Sequence, residues 1–484
     1  MPQQSSRLQK ISWLLFWAVL GVQAWAYTNV VTDDAFIFYR YADNIAAGRG
    51  YVFNQGERVL GTTSPLYTLI LAGCRRLLIG LPISVLPFLG SLISAVSMAA
   101  MALIAADLFR QARLLYGAWL IPLILLALPP FWSGVGMDIL PAIALGLAAI
   151  REYGKGRLTW AAVLSALAVL ARPDLACVPV LLLADSLVFR RRPPRKRSML
   201  AFLAIVGSWL LFSQWYFGTL MPQTVAAKFH QASSGAWGEG LIFLKMSTKL
   251  WPFHASLKDA ILVLFGLAGA VVALHWRQLR SFHLGWLTLV WLACHMLVYG
   301  FVLKPAAYPW YYAPFALGIG FTLALGGEII AARIRSRHLR TCFIVCCIAW
   351  AALTGFRMAR TTLRAERHYK WRFHTEAAAW LNERAPDGAV VACNEIGVLG
   401  FYYRNGPILD LLGLVSPEVT ASVRERDFSR PIQQFQPDYV ISKEPPFPVL
   451  EDFVQEEWFQ QSYDLEAVFG TEHTKMRLYQ RHVR

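Results

Sequence analysis

Long apolar runs separated by short polar loops dominate the first three quarters of the chain. The runs are about 15–22 residues long, which is close to the length that an α-helix needs to cross a bilayer. Hydrophobic residues make up 56% of the sequence, a larger share than in ordinary soluble domains. The pattern predicts a polytopic α-helical membrane protein with about eleven spans. They fall near residues 11–31, 85–107, 114–130, 138–150, 158–171, 175–189, 199–217, 259–275, 284–303, 311–331 and 341–358.

One further apolar segment, residues 65–82, is not counted as a span. Arg75 and Arg76 lie at its middle, where charged side chains are costly in hydrocarbon. Counting it would also reverse the orientation of every later loop. We interpret the segment as a helix on the outer membrane surface, and an ordinary span with snorkelling arginines is the alternative.

Basic residues cluster in the loops that eleven spans would place on one side of the membrane. The positive-inside rule assigns that side to the cytoplasm. The prediction is therefore a multi-pass protein of the bacterial inner membrane, with its N-terminus inside and residues after 358 outside. The clusters are Arg7/Lys10, Arg110/Arg113, Arg151/Lys155/Arg157, 190–197, Arg277/Arg280 and 333–340.

The composition changes after residue 358. A helical pattern covers residues 373–385, and strand-like runs follow at 389–392, 408–414, 438–442 and 476–479. Short strands that alternate with helices indicate a small α/β domain. The predicted domains are a transmembrane catalytic domain at 1–358 and an extracytoplasmic α/β domain at 359–484.

The net charge of +16 does not indicate a nucleic-acid-binding protein. The excess of Lys and Arg lies in the membrane part, where basic loops set orientation, whereas the tail after residue 359 is net acidic. The seven cysteines show neither metal-ligand spacing nor a disulfide framework. The expected surroundings are thus a lipid bilayer and its lipids.

Residues 32–65, directly after the first span, hold the densest group of charged and turn-forming residues at a membrane edge. Asp33 and Asp34 are adjacent where the span ends, and an amphipathic helix that Gly48 terminates follows them. Two neighbouring carboxylates at the lipid boundary cost more than a helix cap requires. The pair therefore points to catalysis, while the plainer alternative is that Asp34 caps the helix and Asp33 is solvated.

This stretch resembles the first external loop of the GT-C class of integral-membrane glycosyltransferases, and most of all the branch with the mycobacterial cell-wall arabinofuranosyltransferases. The resemblance implies an enzyme that takes a sugar from a polyprenyl-phosphate lipid and inverts its anomeric centre. The residues that carry it are Asp33-Asp34-Ala35, Arg40-Tyr41, Gly48, Gly50, Asn54, Gly56-Glu57-Arg58-Val59, Gly61 and Thr63-Ser64-Pro65-Leu66.

Sugar transfer from a lipid phosphate needs a base that deprotonates the acceptor hydroxyl, and this base is usually a carboxylate. Only one of two adjacent carboxylates can point at the acceptor. We assign Asp33 and Asp34 as the catalytic pair, with Asp33 as the base and Asp34 as the helix cap. The resemblance leaves dependence on a divalent metal cation open, and no other cofactor is expected.

Positive groups that could hold the leaving phosphate lie along the predicted outer side. Arg172 stands before Pro173, and its planar guanidinium suits a phosphate. A structural pair between Arg172 and Asp174 is the equal alternative. Lys228 and His230, in the loop after the seventh span, could also reach a phosphate. The predicted donor-phosphate contacts are Arg40, Arg172, Lys228 and His230.

Other residues on this side are candidate substrate contacts. Tyr311 begins the tenth span, where an interfacial aromatic belt is the alternative explanation. Asn394 and Glu395 follow a predicted strand, where loops gather ligands, and domain packing is the alternative. The candidate set is Glu57, Arg58, Asp174, Tyr311, Asn394 and Glu395.

The function predicted is that of an inverting glycosyltransferase, transferring a hexose or a pentose. It would move the sugar from a polyprenyl-phosphate donor to a glycan, lipid or protein acceptor of the cell envelope. A transporter or flippase of envelope lipids would instead carry mid-span charges and paired, broken helices. A non-catalytic assembly protein that keeps the fold is the second alternative.

Overall fold

The computed structural model is helical over most of its length and ends in a small β-sheet. The predicted span at 259–275 lies outside the residues that it describes. Those residues are 2–28, 30–189, 193–237, 243, 282–364, 369–471 and 474–482.

Fourteen helices are described before the C-terminal part. They are α1 Pro2–Tyr27, α2 Asp33–Ala46, α3 Pro65–Leu77, α4 Val85–Gln111, α5 Leu115–Leu126, α6 Pro129–Trp132, α7 Ile139–Gly154, α8 Leu158–Ala171, α9 Cys177–Ala184, α10 Lys196–Phe217, α11 Gln223–Ser234, α12 His283–Leu297, α13 Ala313–Arg333 and α14 Arg337–Arg364.

Five helical segments in the described part of the chain are long and apolar enough to cross a membrane. Each coincides with one of the predicted spans, and α5 and α8 are shorter apolar helices. The prediction of a multi-pass helical membrane protein is confirmed, whereas the count of eleven spans stays a prediction. The five segments are Val85–Gln111, Lys196–Phe217, His283–Leu303, Pro309–Arg333 and Arg337–Arg364.

The helix α3 explains how two arginines fit into an apolar segment. Its 13 residues extend only about 20 Å, less than the ~30 Å hydrocarbon core. Arg75 is buried against α2, where its Nε donates to Asp43 Oδ1 at 3.0 Å, while Leu69 and Ile70 are exposed. The apolar face is thus separate from the charge, as an interfacial helix requires.

The helix ends meet in two groups that agree with the predicted sidedness. At one end of the bundle Asp107 pairs with Arg151 at 2.6 Å and with Lys155 at 3.3 Å, which joins two of the predicted cytoplasmic loops. At the other end Arg172 pairs with Asp138 at 3.1 Å. The contacts show which loops share an end, and the compartment at each end stays a prediction.

The C-terminal part contains the predicted small α/β unit. Its five-stranded sheet has the order β2-β1-β3-β5-β4; β1 is parallel to β2 and β3, and β5 is antiparallel to β3 and β4. The elements are α15 Tyr369–Arg384, β1 Val391–Cys393, α16 Gly397–Tyr402, β2 Ile408–Asp410, α17 Thr420–Glu425, α18 Arg430–Phe435, β3 Tyr439–Glu444, α19 Glu457–Ser462, β4 Tyr463–Gly470 and β5 Lys475–Arg481.

Sequence patterning missed β4. This strand lies at the sheet edge, and only its first residue, Tyr463, is buried. An edge strand without a buried face has no apolar alternation to reveal it.

A shared hydrophobic core fixes the C-terminal domain onto the 32–65 segment. Phe36 on α2 contacts Trp371 and Phe401 edge to face, with ring centroids 5.3 and 5.5 Å apart. Ile37 and Tyr41 belong to the same buried cluster as residues of β1 and α16. The 32–65 segment and the C-terminal domain therefore pack against each other, and the candidate site lies along their interface.

Candidate active site

The acidic pair occupies the first turn of α2, and the structure corrects the expected capping. The helix begins at Asp33, its N-cap is Thr32, and no side chain makes a capping hydrogen bond there. The prediction that Asp34 is the N-cap was wrong, because the helix starts two residues earlier than that cap requires. Instead, the Asp33 carboxylate accepts hydrogen bonds from the backbone N–H groups of Gly397, at 3.1 Å, and Val398, at 2.9 Å.

The contact between Asp33 and α16 explains the glycine of the Asn-Glu-Ile-Gly motif. A Cβ at Gly397 would lie 1.9 Å from the Asp33 backbone oxygen and 2.7 Å from its Oδ2. Only glycine lets the two backbones approach this closely. The motif thus holds one carboxylate of the pair in place through two N–H donors.

Asp34 lies where two cavities meet. Cavity A, of about 410 Å³, extends from Asp34 to Arg172, Asp174 and Tyr311. Cavity B, of about 840 Å³, extends from the acidic pair to the C-terminal domain. Both are lined by Asp34, Ile37, Lys228, Trp310 and Leu414, whereas Asp33 lines only cavity B.

Cavity A holds a buried ionic network at one end. Arg172 donates to Asp138 Oδ1 at 3.1 Å and to both oxygens of Asp174, at 3.1 and 3.3 Å. Tyr299 donates its hydroxyl to Asp174 at 2.8 Å, and the His295 ring lies 3.8 Å from the same carboxylate. The structural pairing considered for Arg172 is therefore present, and two carboxylates already engage its guanidinium.

The remaining wall of cavity A is mainly apolar. It includes Val298 and Leu303, whose side chains are exposed on the outside of the bundle. Such a wall lets a hydrocarbon chain lie against the protein without desolvating polar groups. A lipid could therefore enter this cavity from the bilayer.

Lys228 on α11 supplies a cation at the junction of the cavities. Its ammonium lies 4.6 Å from the centre of the Tyr308 ring. Burial works to lower the pKa of Lys228, but Tyr308, Tyr311, Asp34 and Asp410 together raise it above its ordinary value. The side chain is charged at neutral pH and faces a region of negative potential.

Cavity B combines aromatic rings with acidic and amide groups. Trp237, Tyr308 and Trp371 line it together with Asn394 and Glu395. Asn394 also donates to Glu451 at 3.1 Å, so the residue serves domain packing as well. Rings beside carboxylate and amide groups are suited to a polar, ring-shaped ligand.

The buried His374 of α15 lies between Asp33 and Glu395, two of the three acidic residues that line cavity B. Its Nδ1 lies 4.0 Å from Asp33 Oδ1, and its Nε2 lies 3.7 Å from Glu395 Oε2. Sequence analysis missed it, because a histidine in an ordinary helical pattern gives no local signal. It also missed Asp138, although an acidic residue at the start of an apolar run is such a signal.

Four predicted site residues do not line cavity A or B. Arg40 donates to the carbonyl oxygens of Phe53 and Gly400. Glu57 accepts from Asn54 at 3.0 Å, and Arg58 lies over the Tyr216 ring. His230 is on α11 beside Phe229. The structure brings Asp33, Asp34, Arg172, Asp174, Lys228, Tyr311, Asn394 and Glu395 to the cavities.

Metal binding has no arranged site among the residues described. No three His, Cys, Asp or Glu side chains in that part of the chain are grouped so as to hold a metal ion. Dependence on a divalent cation stays an untested expectation.

Comparison with characterised proteins agrees with the predicted class. A terminal β-(1→2)-arabinofuranosyltransferase from Mycobacterium tuberculosis is 28% identical over 262 residues, which cover 48% of this chain and 40% of that protein. The chain thus spans less than half of the length of this curated relative. Residues 361–481 match a family model described as a domain of unknown function, DUF8728.

Solved structures show the same architecture over nearly the whole chain. ArnT from Cupriavidus metallidurans, bound to undecaprenyl phosphate, superimposes with a TM-score of 0.60 and 11% identity, covering 98% of this chain and 97% of ArnT. The oligosaccharyltransferase AglB from Archaeoglobus fulgidus, in complex with an inhibitory peptide and a dolichol-phosphate, gives 0.54 and 14%, covering 88% and 69%. The chain therefore has the fold of the GT-C class of integral-membrane glycosyltransferases.

Proposed function

We propose that the protein is an inverting glycosyltransferase that uses a polyprenyl-phosphate sugar. The observation that carries the proposal is the position of Asp34, at the meeting point of a cavity with an apolar wall and a cavity lined by aromatic and polar groups. The donor occupies cavity A and the acceptor occupies cavity B. The undecaprenyl phosphate bound to ArnT and the dolichol-phosphate bound to AglB support this choice of donor.

In the proposed reaction Asp34, rather than Asp33, is the base. The Asp33 carboxylate already accepts two backbone hydrogen bonds, which engage both of its oxygens and fix its direction. Asp34 takes the proton from an acceptor hydroxyl, and the oxygen attacks the anomeric carbon from the side opposite the phosphate. The bond from that carbon to the phosphate oxygen breaks, its electron pair stays on the phosphate, and the configuration inverts.

Lys228 stabilises the phosphate that leaves. It is the cation shared by both cavities, whereas Arg172 is held by Asp138 and Asp174. A fixed positive charge near the developing phosphate charge acts strongly in a site that excludes water. Arg172 therefore positions the wall of cavity A.

The compartment of the proposed reaction follows from the predicted orientation of the protein in the membrane. The active site and the C-terminal domain face the outer compartment of a bacterial inner membrane, where a lipid carrier can deliver an activated sugar. The acceptor is a hydroxyl of a cell-envelope glycan, lipid or protein. The sugar is a pentose or a hexose, and the similarity to an arabinofuranosyltransferase makes a pentose the first donor to test.

The proposal is tested with the full chain purified in detergent and supplied with polyprenyl-phosphate pentoses and hexoses. Asp34→Asn should lower the rate of polyprenyl-phosphate release by about 10²–10⁴-fold, which is typical for the loss of a positioned base. The melting temperature should change little. NMR of the product should show an anomeric configuration opposite to that of the donor.

Two further variants separate the roles of the pair. Asp33→Asn should lower the melting temperature, because an amide cannot accept both N–H groups, and should reduce the rate by about tenfold or less. Asp464→Asn, at an exposed position, is the matched control and should behave like the parent. A parental rate in Asp34→Asn would refute the base assignment. A loss above 10²-fold in a fully stable Asp33→Asn would exchange the two roles.

A further inference from the structure

A third cavity lies on another part of the surface shared by α2 and the C-terminal domain. Cavity C, of about 290 Å³, is enclosed by Arg40 and Asn44 of α2, the 53–57 loop and the 403–407 turn. It shares no lining residue with cavity A or B. Gln55 and Glu57 at its edge are exposed, so the cavity opens to water.

Arg40 contributes a buried charge whose hydrogen-bond acceptors are all neutral. It is 6% exposed, and it donates to Phe53 O at 2.7 Å, to Gly400 O and to Asn54 Oδ1. Among the residues described, no carboxylate forms an ion pair with it. Burial, together with the neighbouring Arg404, lowers the pKa of Arg40 to about 9. A guanidinium in such a place is costly unless an anion accompanies it.

Within the described residues, the second cation of cavity C has a single ion-pair partner, which it shares with two other arginines. Arg404 pairs with Asp43 at 3.2 Å, and the same carboxylate also binds Arg49 at 2.8 Å and Arg75 at 3.0 Å. One carboxylate thus faces three guanidinium groups. Burial and the nearby Arg49 lower the pKa of Arg404, against the opposing effect of Asp43.

The charges around cavity C do not balance within the described part of the chain. The charged residues that line it are Arg40, Arg404 and Glu57, which leaves one positive charge in excess. The Glu57 carboxylate lies at the exposed edge and is connected to Arg40 through Asn54, to which both side chains are hydrogen-bonded. The lining therefore favours an anionic ligand such as a phosphate group.

We infer that cavity C binds a phosphate group carried on a small polyol. Guanidinium groups bind phosphate through parallel N–H donors, and Arg40 and Arg404 face the same space. The cavity is larger than a bare phosphate, so a glycerol or sugar unit fits beside it, with Gln55 at the opening for its hydroxyls. The ligand is either the headgroup of an anionic phospholipid or a soluble phosphorylated glycan unit.

Cavity C lies close to the proposed base, because both are built on α2. Arg40 and Asp34 belong to the same helix and are separated by six residues, or about 9 Å along its axis. A ligand in cavity C would therefore be held at a fixed distance from the proposed base. The neighbouring α3 exposes apolar residues, which places cavity C close to the predicted membrane surface.

The test measures binding to the full chain and needs no transfer reaction, so it is independent of the proposed function. Glycerol 1-phosphate is titrated calorimetrically into detergent-purified protein, and melting temperatures are compared in nanodiscs of phosphatidylglycerol and of phosphatidylcholine. Arg404→Gln is the test variant, because Asp43 keeps Arg49 and Arg75 as partners. Arg384→Gln, an exposed arginine over Trp380, is the matched control.

Glycerol phosphate should bind the parent, and Arg404→Gln should weaken this binding about tenfold or more, as expected for a lost charge-assisted contact. Arg384→Gln should leave it unchanged. Arg404→Lys, which keeps the charge, should fall between the two and replaces Arg404→Gln if that variant does not fold.

The two arms distinguish the sources of the phosphate. Binding of glycerol phosphate identifies a soluble ligand. An Arg404-dependent stabilisation in phosphatidylglycerol nanodiscs, without binding of the soluble probe, identifies a lipid headgroup. Absence of both effects, or equal effects in the Arg404 and Arg384 variants, would overturn the proposal.

Discussion

Cavities A and B meet at Asp34 but differ in the residues that line them. Cavity A is formed mainly by bundle residues, and its charged end is a closed network in which Arg172 is matched by Asp138 and Asp174. Cavity B lies against the C-terminal domain and is lined by rings and polar groups such as Trp371 and Glu395. Cavity A thus combines an apolar wall with a paired ionic network, whereas cavity B combines aromatic rings with acidic and amide groups.

This difference shows how one site can bind two substrates of opposite polarity. A hydrocarbon tail gains from an apolar wall without a specific geometry, whereas a hydroxylated acceptor needs hydrogen bonds from placed groups. With the donor in cavity A and the acceptor in cavity B, substitutions in cavity A should alter the donor KM and substitutions in cavity B the acceptor KM. Residues that line both should alter kcat.

Apart from Asp34→Asn, the largest loss of activity is expected on substitution of Lys228. Lys228→Gln keeps a polar side chain of similar helix preference, one bond shorter, but removes its charge from the junction. We expect kcat/KM for the donor to fall about 10²–10³-fold, as for loss of one preorganised charge-stabilising group. Steady-state kinetics would measure it, with Lys475→Gln as the control. A change confined to the acceptor KM would contradict the role of Lys228.

Glu395 tests the acceptor side alone. Glu395→Gln removes a charged hydrogen-bond acceptor from cavity B, and the acceptor KM should rise about tenfold at an unchanged donor KM. Glu383→Gln, on the exposed face of α15, is the control. An increase in the donor KM instead would mean that the cavities have been assigned to the wrong substrates.

Arg172 tests whether a residue that lines cavity A acts through structure. Arg172→Lys keeps one positive charge but cannot bind Asp138 and both oxygens of Asp174 at once. The melting temperature should fall by several degrees, while kcat/KM for the donor falls less than in Lys228→Gln. A donor defect as large as that of Lys228→Gln in a stable protein would make Arg172 a phosphate contact.

The sequence was informative where chemistry and local pattern coincide. Asp33 and Asp34 were found because two adjacent acids at the end of a span are costly. The sidedness of the loops followed from basic clusters alone, and contacts such as Asp107 with Arg151 agree with it.

Contacts between residues that are far apart in the chain could not be predicted from the sequence in the same way. Asp138 and Arg172 are 34 residues apart and no period connects them. The hydrogen bonds that hold Asp33 come from α16, which belongs to a distant segment. Arg40 lines neither cavity A nor cavity B, because six residues along α2 turn it to a different face from Asp34.

The smallest predicted effect concerns the turn that lines both cavities. The buried Asp410 carboxylate accepts from Leu412 and Val415 at 2.9 Å, and burial raises its pKa from 3.8 to about 6. A raised pKa means that the folded state binds the proton more tightly than the unfolded chain. The resulting stabilisation is full below pH 3.8 and is lost as the pH rises through 6.

Thermal unfolding of the parent and of Asp410→Asn at two pH values measures this effect. The variant does not titrate at this position, so the advantage of the parent should be greater at pH 5 than at pH 7, by on the order of 1 kcal/mol. Parallel changes in both proteins would show that other groups cause the pH dependence.

The link between Asp33 and α16 has a consequence for how the protein is made. The carboxylate and its two N–H donors are separated by 364 and 365 residues. At a synthesis rate of about 5–20 residues per second, roughly 20–70 s pass between the translation of Asp33 and that of Val398. Throughout this interval the nascent chain carries the acidic pair at the membrane surface without the segment that orients it. Until Val398 has been translated, the Asp33 carboxylate lacks the two N–H donors that hold it in place in the folded protein.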